Sequence, residues 1–241
     1  MNSLYQNIKD SKTKGEKLLA VLIDPDKMKP QNVLSFIEKV NQSLATHIFV
    51  GGSEVDEGLT ENLVIAIKKH THLPILLFPG DVIQITDKAD GILFLSLISG
   101  RNSDYLIGKH VEAVSRLKNS NLEIIPTGYL LIENGKQTSV ERVSKTQPLK
   151  RKSIQTIVDT SKAGELLGMK LIYLEAGSGA THAIEPNIIS EVKQQLNIPL
   201  IVGGGIRTKA EMDLAFKAGA DLVVIGTAFE DDEDLFNDLK K

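Results

Sequence analysis

The chain has 241 residues, 41% of them apolar, and a formal net charge of -3. This length allows one large domain or two small ones, and the small net charge excludes a general electrostatic attraction to nucleic acid. Cysteine is absent, which excludes disulfides and thiolate chemistry and is compatible with the cytoplasmic location that we expect. No apolar run reaches the ~18 residues of a membrane span, and the polar N-terminus lacks the apolar core of a signal peptide. Contact with a membrane surface is compatible with this composition.

Apolar strand-like runs alternate with amphipathic helical stretches along the whole chain. The strands are predicted over residues 18–23, 47–50, 74–78, 91–95, 123–125, 171–174, 199–202 and 222–225. The helices are predicted over residues 31–42, 57–70, 104–118, 154–167, 186–196, 209–218 and 231–239. Near-continuous apolar strands separated by helices indicate a parallel sheet covered by helices. Eight such strands favour a single (β/α)8 (TIM) barrel domain over residues 1–241, rather than an open doubly wound sheet.

Two places break the regular alternation. Between Phe78 and Gly91 there is room only for a short helix or turn, so the third helix of the barrel is predicted to be altered. Between Tyr129 and Lys152 lies a polar insertion with a turn signal at Asn134-Gly135. An insertion of this length is either an ordinary surface loop or a mobile lid, and both interpretations stay open here.

Glycines follow the last two predicted strands. Gly203-Gly204-Gly205 comes after strand 199–202, and Gly226-Thr227 comes after strand 222–225. Glycine lets backbone N–H groups approach a ligand without interference from a Cβ atom, and such groups form anion sites together with the start of a helix. The phosphate site of many barrels lies after strands 7 and 8. The sequence therefore predicts binding of a phosphorylated small molecule.

Polar side chains end the first two strands. Asp24 ends the first and is followed by Pro25, and Ser53 follows Gly51-Gly52 at the end of the second. Catalytic groups of barrels lie at these C-terminal strand ends. A single carboxylate there suits Mg²⁺, which takes one or two protein oxygens together with substrate phosphates. The alternative for Asp24 is a capping role at the turn before the next helix.

Glu175 ends the sixth strand, within the segment YLEAGSG at 173–179. Tyr173 and Glu175 are two residues apart on a strand, so both point to the same side while the residues between them face the helices. A Glu at the barrel mouth can act as a general base on a hydroxyl. The glycines after it can wrap a polyol or a phosphate, helped by the Ser178 hydroxyl. The alternative is a buried Glu paired with a cation such as Arg207.

Several other site classes find no support in the sequence. The five histidines form no ligand pattern, and no zinc signature or Ser-His-Asp arrangement is present. The glycine run at 203–205 is not a dinucleotide fingerprint, because the G-x-G-x-x-G spacing and the acidic residue downstream are missing.

Taken together, these segments resemble the geranylgeranylglyceryl phosphate synthase family, which includes the bacterial heptaprenylglyceryl phosphate synthases. The matching pieces are LIDPDK at 22–27, VGGS at 50–53, FPG at 78–80, ADGILFLSLISGRN at 89–102, PTGYL at 126–130, YLEAGSGA at 173–180 and VGGGIR at 202–207. They occur in the family's order. The glycine run is shared by many phosphate-binding barrels, whereas the pieces at 99–102 and 173–180 are far more specific.

The resemblance implies a modified (β/α)8 barrel with an altered third helix. It implies Mg²⁺-dependent transfer of a prenyl group from a polyprenyl diphosphate to the C3 hydroxyl of sn-glycerol 1-phosphate, which forms an ether lipid precursor and releases diphosphate. By motif, Asp24 and Ser53 would hold Mg²⁺ against the diphosphate, and Glu175 would be the base near the attacking hydroxyl. The residues that would hold sn-glycerol 1-phosphate are Tyr173, Leu174, Glu175, Ala176, Gly177, Ser178, Gly179, Gly204, Gly205, Gly226 and Thr227.

One position departs from the family pattern. Some members have a Lys two residues before the first-strand Asp, and here that position is Leu22. This departure, the long N-terminus and the insertion at 132–152 suggest the longer branch of the family, in which geranylgeranyl diphosphate is the more usual donor. The prenyl tail needs an apolar trough, which the altered third helix would open. Its candidate walls are Phe78, Pro79, Val82, Ile83, Phe94, Leu97 and Ile98.

The resemblance also implies a homo-oligomer, and the sequence does not choose between a dimer and a hexamer. Two other functions compete with prenyl transfer. A phosphosugar isomerase on the same kind of barrel would use paired acid–base groups at opposite strand ends, but the fifth predicted strand ends in Pro126-Thr127 without a carboxylate. A non-catalytic phosphometabolite-binding barrel would have no need for Asp24, Ser53 and Glu175 together at its mouth.

Overall fold

Eight parallel strands pair in chain order and close on themselves, with the last strand paired to the first. They are β1 (Leu18–Ile23), β2 (His47–Val50), β3 (Ile75–Leu77), β4 (Gly91–Leu97), β5 (Glu123–Leu131), β6 (Leu171–Glu175), β7 (Leu200–Gly203) and β8 (Leu222–Ile225). This computed structural model describes residues 3–231 and 235–240. It confirms the predicted (β/α)8 barrel.

One helix precedes the strands, and the others follow individual strands around the barrel. They are α1 (Leu4–Lys14), α2 (Val33–Gln42), α3 (Leu59–Lys68), α4 (Lys109–Leu117), α5 (Ser139–Ser144), α6 (Ile154–Leu166), α7 (Pro186–Gln195), α8 (Lys209–Ala218), α9 (Thr227–Asp231) and α10 (Leu235–Asp238). The predicted final helix at 231–239 falls partly on residues 232–234, which lie outside the described residues. None of the helices described here combines the length and the apolar character needed to cross a bilayer.

Alternate residues of the strands belong to two separate cores. On β6, Ile172 and Leu174 pack outward in the core between strands and helices, whereas Tyr173 points into the barrel. The predicted side-chain directions on this strand are therefore confirmed. They bring Glu175, two residues after Tyr173, to the inner side of the barrel mouth.

The sequence does not predict α1, because its composition is mostly polar. Ser3 caps the helix through its hydroxyl, and the carboxylate of Glu123 accepts the first two backbone N–H groups of the helix at 2.5 and 2.9 Å. Ile8 is fully buried among the inward-facing side chains of the barrel. Glu123 is the first residue of β5, so α1 closes the end of the barrel opposite the mouth.

Strand β5 is longer than the sequence predicts. The predicted strand at 123–125 is present, but its predicted end is too early, because Pro126 and Gly128 have the character of a strand end. The strand instead continues to Leu131, paired with β4 on one side and β6 on the other. Proline cannot donate to a ladder, but the carbonyl of Pro126 still accepts a backbone bond at 2.8 Å. The extra length carries Tyr129 to the barrel mouth.

The helix expected after β3 is reduced to one 3-10 turn, Val82–Gln84, which confirms the altered third helix. The polar insertion is folded against the barrel. It forms α5, whose first turn has a capping box between Thr138 and Glu141, and it returns to pair Leu149 with Ile132. Ser139 and Val140 of α5 line the cavity at the barrel mouth, so the insertion covers part of the mouth, and the mobile lid stays a prediction.

Candidate functional site

A cavity opens at the C-terminal ends of the strands, and we call it the mouth cavity. The predicted site residues that line it are Asp24, Ser53, Tyr173, Glu175, Gly177, Ser178, Gly179, Gly204, Gly205, Gly226 and Thr227. Leu174 and Ala176 do not line it, because their side chains are buried in the core between strands and helices. Motifs from both ends of the chain thus meet in one cavity.

A buried carboxyl group lies in the mouth cavity. Glu175 is 5% exposed, and its Oε1 accepts the N–H of Gly177 at 2.6 Å. Burial raises the pKa of Glu175 to about 7, against smaller lowering effects of the Tyr173 phenol and the Gly177 N–H. Within the described chain Arg207 does not pair with it and instead donates to the Ala180 carbonyl at 2.6 Å, so the predicted alternative ion pair is wrong. A carboxyl with a near-neutral pKa suits general base chemistry.

Two glycines make the space in which this carboxyl lies. A Cβ on Gly204 would lie 2.2 Å from Glu175 Oε1. A Cβ on Gly203 would lie 2.4 Å from the Tyr173 hydroxyl and 3.0 Å from Glu175 Oε2. Gly204 also has a φ of 80°, in the left-handed region that favours glycine. The glycine run, predicted only as a phosphate motif, therefore also leaves room for the buried carboxyl.

The loops after β6 and β7 carry backbone N–H groups that make no hydrogen bond to any described residue. Within residues 3–231 and 235–240, the backbone N–H groups of Ser178, Gly179 and Gly205 donate no hydrogen bond. The hydroxyls of Ser178 and Thr227 lie 3.1 Å apart across the same part of the cavity. Backbone N–H groups that converge on a concave loop form an anion site. This part of the mouth cavity fits a phosphate.

Asp24 and Ser53 lie on another wall of the mouth cavity. Asp24 Oδ1 lies 3.0 Å from the position that a Cβ would take on Gly52, and it accepts the N–H of Asp26 at 3.1 Å. Asp24 therefore stabilises the turn after β1, as the capping alternative predicts, and it also lines the mouth cavity. A carboxylate and a hydroxyl are hard oxygen donors of the kind that Mg²⁺ takes. The described chain holds no group of three or more His, Asp or Glu side chains placed to bind a metal, so a cation here would need substrate oxygens.

An apolar groove adjoins the mouth cavity. Residues of β4, of the Val82–Gln84 turn and of α4 line it, in the region left open by the reduced third helix. Of the predicted trough walls, Phe78, Pro79, Val82, Phe94 and Leu97 line it. Ile83 is exposed at the surface instead, and Ile98 packs in the outer core. Apolar walls that the sequence does not single out are Ile85, Ile92, Leu93, Leu95, Ala113, Val140 and Val143.

Three aromatic rings stand where the groove meets the mouth cavity. Phe78 and Tyr129 line both, and Tyr173 lines the mouth cavity. The ring centroids of Tyr173 lie 5.4 Å from those of Phe78 and Tyr129. Burial, aided by the nearby Glu175, raises the pKa of both tyrosines well above the usual value, so both phenols stay protonated. The sequence gives Tyr129 only as part of a motif, because the strand that carries it is predicted too short.

Helix α5 spans the mouth and is bonded on two sides. The guanidinium of Arg142 makes paired hydrogen bonds of 3.0 and 2.6 Å to the carboxylate of Glu54, in the loop after β2. Asn102, in the loop after β4, donates to the Ser144 carbonyl at 2.8 Å. Val140 of the same helix lines both the groove and the mouth cavity. Helix α5 thus roofs the place where the two compartments join.

Comparisons with known proteins agree with this geometry. The model of the PcrB family matches residues 11–241. The geranylgeranylglyceryl phosphate synthase of Flavobacterium johnsoniae is 53% identical over 237 residues, which cover 98% of each chain. That of Zunongwangia profunda is 58% identical over 226 residues, covering 94% of this chain and 96% of the relative.

A solved structure is also similar. It is the crystal structure of (S)-3-O-geranylgeranylglyceryl phosphate synthase from Thermoplasma acidophilum in complex with its substrate sn-glycerol-1-phosphate. It superposes with a TM-score of 0.93 at 34% sequence identity, and the match covers 99% of this chain and 96% of that chain. The similarity extends over the barrel, the insertion and the mouth.

Proposed function

This chain belongs to the PcrB family, and on that premise we propose that it joins a polyprenyl diphosphate to the C3 hydroxyl of sn-glycerol 1-phosphate. The reaction forms an ether lipid precursor and releases diphosphate. One observation carries the proposal: a polar cavity around a buried carboxyl opens directly into an apolar groove. These compartments fit a phosphorylated acceptor and a donor with a long hydrocarbon tail. The names of the relatives and the ligand of the Thermoplasma acidophilum structure support the same substrates.

The acceptor lies in the part of the mouth cavity formed by the loops after β6, β7 and β8. Its phosphate takes the unpaired N–H groups of Ser178, Gly179 and Gly205, with the hydroxyls of Ser178 and Thr227 on either side. This placement holds the glycerol C3 hydroxyl toward Glu175. An alcohol that attacks a strong electrophile needs orientation and proton removal more than strong activation. Glu175 accepts the proton as the C–O bond forms.

The donor lies with its diphosphate near Asp24 and its tail in the apolar groove. As the allylic carbon–oxygen bond breaks, positive charge develops on carbon beside Phe78, Tyr129 and Tyr173. Aromatic faces stabilise a nearby cation, and their burial keeps water from competing for the carbon. The carboxylate of Asp24 and the hydroxyl of Ser53 would hold Mg²⁺, which supplies charge neutralisation of the leaving diphosphate when bound.

Asp24→Asn is expected to raise the Mg²⁺ concentration that gives half-maximal turnover by at least ~10-fold, the lower end of what loss of even an outer-shell partner costs a metal site. The amide keeps the size of the side chain but loses the charge that holds the ion. The measurement is a Mg²⁺ titration of prenyl transfer. Asp26→Asn is the matched control, because Asp26 is exposed and two residues away. An unchanged titration for Asp24→Asn would remove it from the metal site.

Ala113→Leu is expected to weaken use of the longest donors selectively. Helix α4 runs away from the mouth, so Ala113 lies toward the far end of the groove that it lines. A larger side chain there should raise KM for geranylgeranyl diphosphate by ~10-fold or more and leave a ten-carbon donor almost unaffected, since single apolar groups in such pockets discriminate by 10–200-fold. Ser115→Leu, at an exposed position of the same helix, is the control. A uniform effect on all donors would place the tail elsewhere.

The function itself is tested with purified protein, Mg²⁺, radiolabelled sn-glycerol 1-phosphate and prenyl diphosphates of ten to thirty-five carbons. We expect an organic-soluble product, with geranylgeranyl diphosphate as the best donor. No product with any donor, in protein that still binds sn-glycerol 1-phosphate, would leave the isomerase or binding-protein alternatives. The isomerase alternative lacks a second acid–base group at the end of β5, where Tyr129 reaches the mouth instead of a carboxylate.

The assembly state stays a prediction of a dimer or a hexamer. The structure adds an apolar stripe that the sequence does not make evident, formed by Ile107, Val111 and Val114, which are 58–66% exposed. Val111 and Val114 are three residues apart on α4 and share one face of it, and Ile107 lies in the π-helical turn Asp104–Gly108 that leads into α4. We propose this stripe as a contact surface, to be tested by light scattering of the purified protein.

A further inference from the structure

Lys136 belongs to the polar insertion, and none of the sequence motifs includes it. Its Nζ lies 3.4 Å from the position that a Cβ would take on Gly179. Among the described residues, no other atom beyond the chain neighbours of Gly179 lies within 4 Å of that position. Gly179 is part of the loop whose N–H groups are unpaired. The ammonium of Lys136 therefore lies against the anion-binding loop, next to Gly179, although Lys136 is not among the residues that line the mouth cavity.

Hydrogen bonds of Arg151 hold the insertion close to the loop after β6. The side chain of Arg151 is only 14% exposed. It bonds to the carbonyl of Glu133, at the start of the insertion, and to the carbonyls of His182 and Ala183, in the loop after β6, at 2.5–2.9 Å. It thus joins the insertion to the loop that carries Gly179. The backbone of the insertion is therefore fixed close to Lys136.

Two further residues of the insertion also pack against the loop after β6. A Cβ on Gly177 would lie 2.4 Å from the Thr138 methyl group and 3.6 Å from Asn134 Nδ2. Asn134 is buried, and neither polar atom of its side chain has a hydrogen-bond partner in the described chain. Unsatisfied buried polar groups are rare and often mark functional sites. The segment 134–138 therefore packs polar groups directly onto the loop after β6.

A phosphate in the mouth cavity needs more positive charge than the residues lining the cavity supply. Among the described residues two cations line it, and each has another contact. Lys27 lies 3.8 Å from Asp24 Oδ2, and Arg207 donates to the Ala180 carbonyl. A phosphate monoester beside the Glu175 carboxyl faces like charge whenever that group is ionised. A third cation beside the loop would offset this repulsion.

We infer that Lys136 binds the phosphate of the acceptor, and that the insertion is part of the acceptor site as well as its roof. This inference rests on the proposed function for the identity of the acceptor. The geometry assigns Lys136 a binding role, because its ammonium lies beside Gly179 of the anion-binding loop. Its loss should weaken the acceptor in the ground state and the transition state alike.

The test is Lys136→Ala in the full chain. We expect KM for sn-glycerol 1-phosphate to rise about 10-fold, the scale of one charge-assisted hydrogen bond, with kcat changed less than two-fold and KM for the prenyl diphosphate unchanged. Lys150→Ala removes an exposed lysine of the same insertion and should match the wild type. An unchanged KM for the acceptor, or a fall in kcat alone, would overturn the inference.

Arg151→Gln provides a second variant through a different residue. Releasing the insertion should raise KM for the acceptor as Lys136→Ala does, and the double variant should be no worse than the worse single one. Full additivity would contradict a shared role. Calorimetric binding of sn-glycerol 1-phosphate without donor separates this inference from the proposed function. Weaker binding in Lys136→Ala would support the inference even if no donor gave product, whereas transfer with equal binding would overturn the inference alone.

Discussion

Glu175→Gln is expected to lower the rate of prenyl transfer by at least ~10²-fold, the usual contribution of a general base, while sn-glycerol 1-phosphate still binds. The amide occupies the same space beside Gly203 and Gly204 but cannot take the proton of the acceptor hydroxyl. The measurements are single-turnover rates and calorimetric binding of the acceptor. Glu191→Gln, an exposed position on α7, is the matched control. Near-normal turnover of Glu175→Gln would remove this residue from the mechanism.

The pH dependence gives a second check on the same residue. The pKa of Glu175 is about 7, raised chiefly by burial, so kcat/KM of the wild type should rise with pH through about 7 as the base ionises. Residual activity of Glu175→Gln should lack this step, and Glu191→Gln should keep it. A step that persists in Glu175→Gln would belong to another group.

Stability should change with pH in the opposite sense. The folded protein binds the Glu175 proton more tightly than the unfolded chain does, because the pKa rises from about 4.5 to about 7. The stability linked to the protonated carboxyl is complete below pH 4.5 and is lost as the pH rises to about 7. The difference corresponds to about 3 kcal/mol. Glu175→Gln should therefore gain stability over the wild type above pH 7, which thermal unfolding at pH 5 and pH 8 would measure.

The fold follows from local sequence wherever a segment buries its own apolar face. The runs at 18–23 and 222–225 are apolar without interruption and give β1 and β8 with the predicted bounds. Helix α1 fails this rule, since it is stabilised by the carboxylate of Glu123, more than a hundred positions away. The extension of β5 fails it as well. Pro126 and Gly128 weaken the strand locally, and the ladders to β4 and β6 override them.

The candidate site, like the fold, is predictable from local sequence only in part. The period of two along β6 is enough to place Tyr173 and Glu175 on the inner side of the barrel. The need for glycine at Gly203 and Gly204 is not visible in the sequence, because it depends on a carboxyl almost thirty positions earlier. Nor is the position of Lys136, since the insertion is oriented by the bonds of Arg151 to the loop after β6. Contacts between distant segments decide what local patterns leave open.

Gly204→Ala is expected to lower turnover about as far as loss of the Glu175 base does. The new Cβ would lie 2.2 Å from Glu175 Oε1 and 2.8 Å or less from the backbone nitrogens of Ala176 and Gly177. The carboxyl and its hydrogen bond to Gly177 must therefore move, and a displacement of about 1 Å at a reacting group can cost 10²-fold in rate. The measurements are kcat for prenyl transfer and the temperature of unfolding.

Gly58→Ala separates this steric effect from the cost of backbone conformation. Gly58 has a φ of 83°, almost the same as the 80° of Gly204, but a Cβ there would meet no atom within 4 Å. Both variants carry the left-handed backbone cost of roughly 1–2 kcal/mol, and both should unfold at a lower temperature. Only Gly204→Ala should lose turnover when assayed well below that temperature. Equal activity of the two variants would mean that the space beside Gly204 does not position Glu175, and that this glycine serves only the turn after β7.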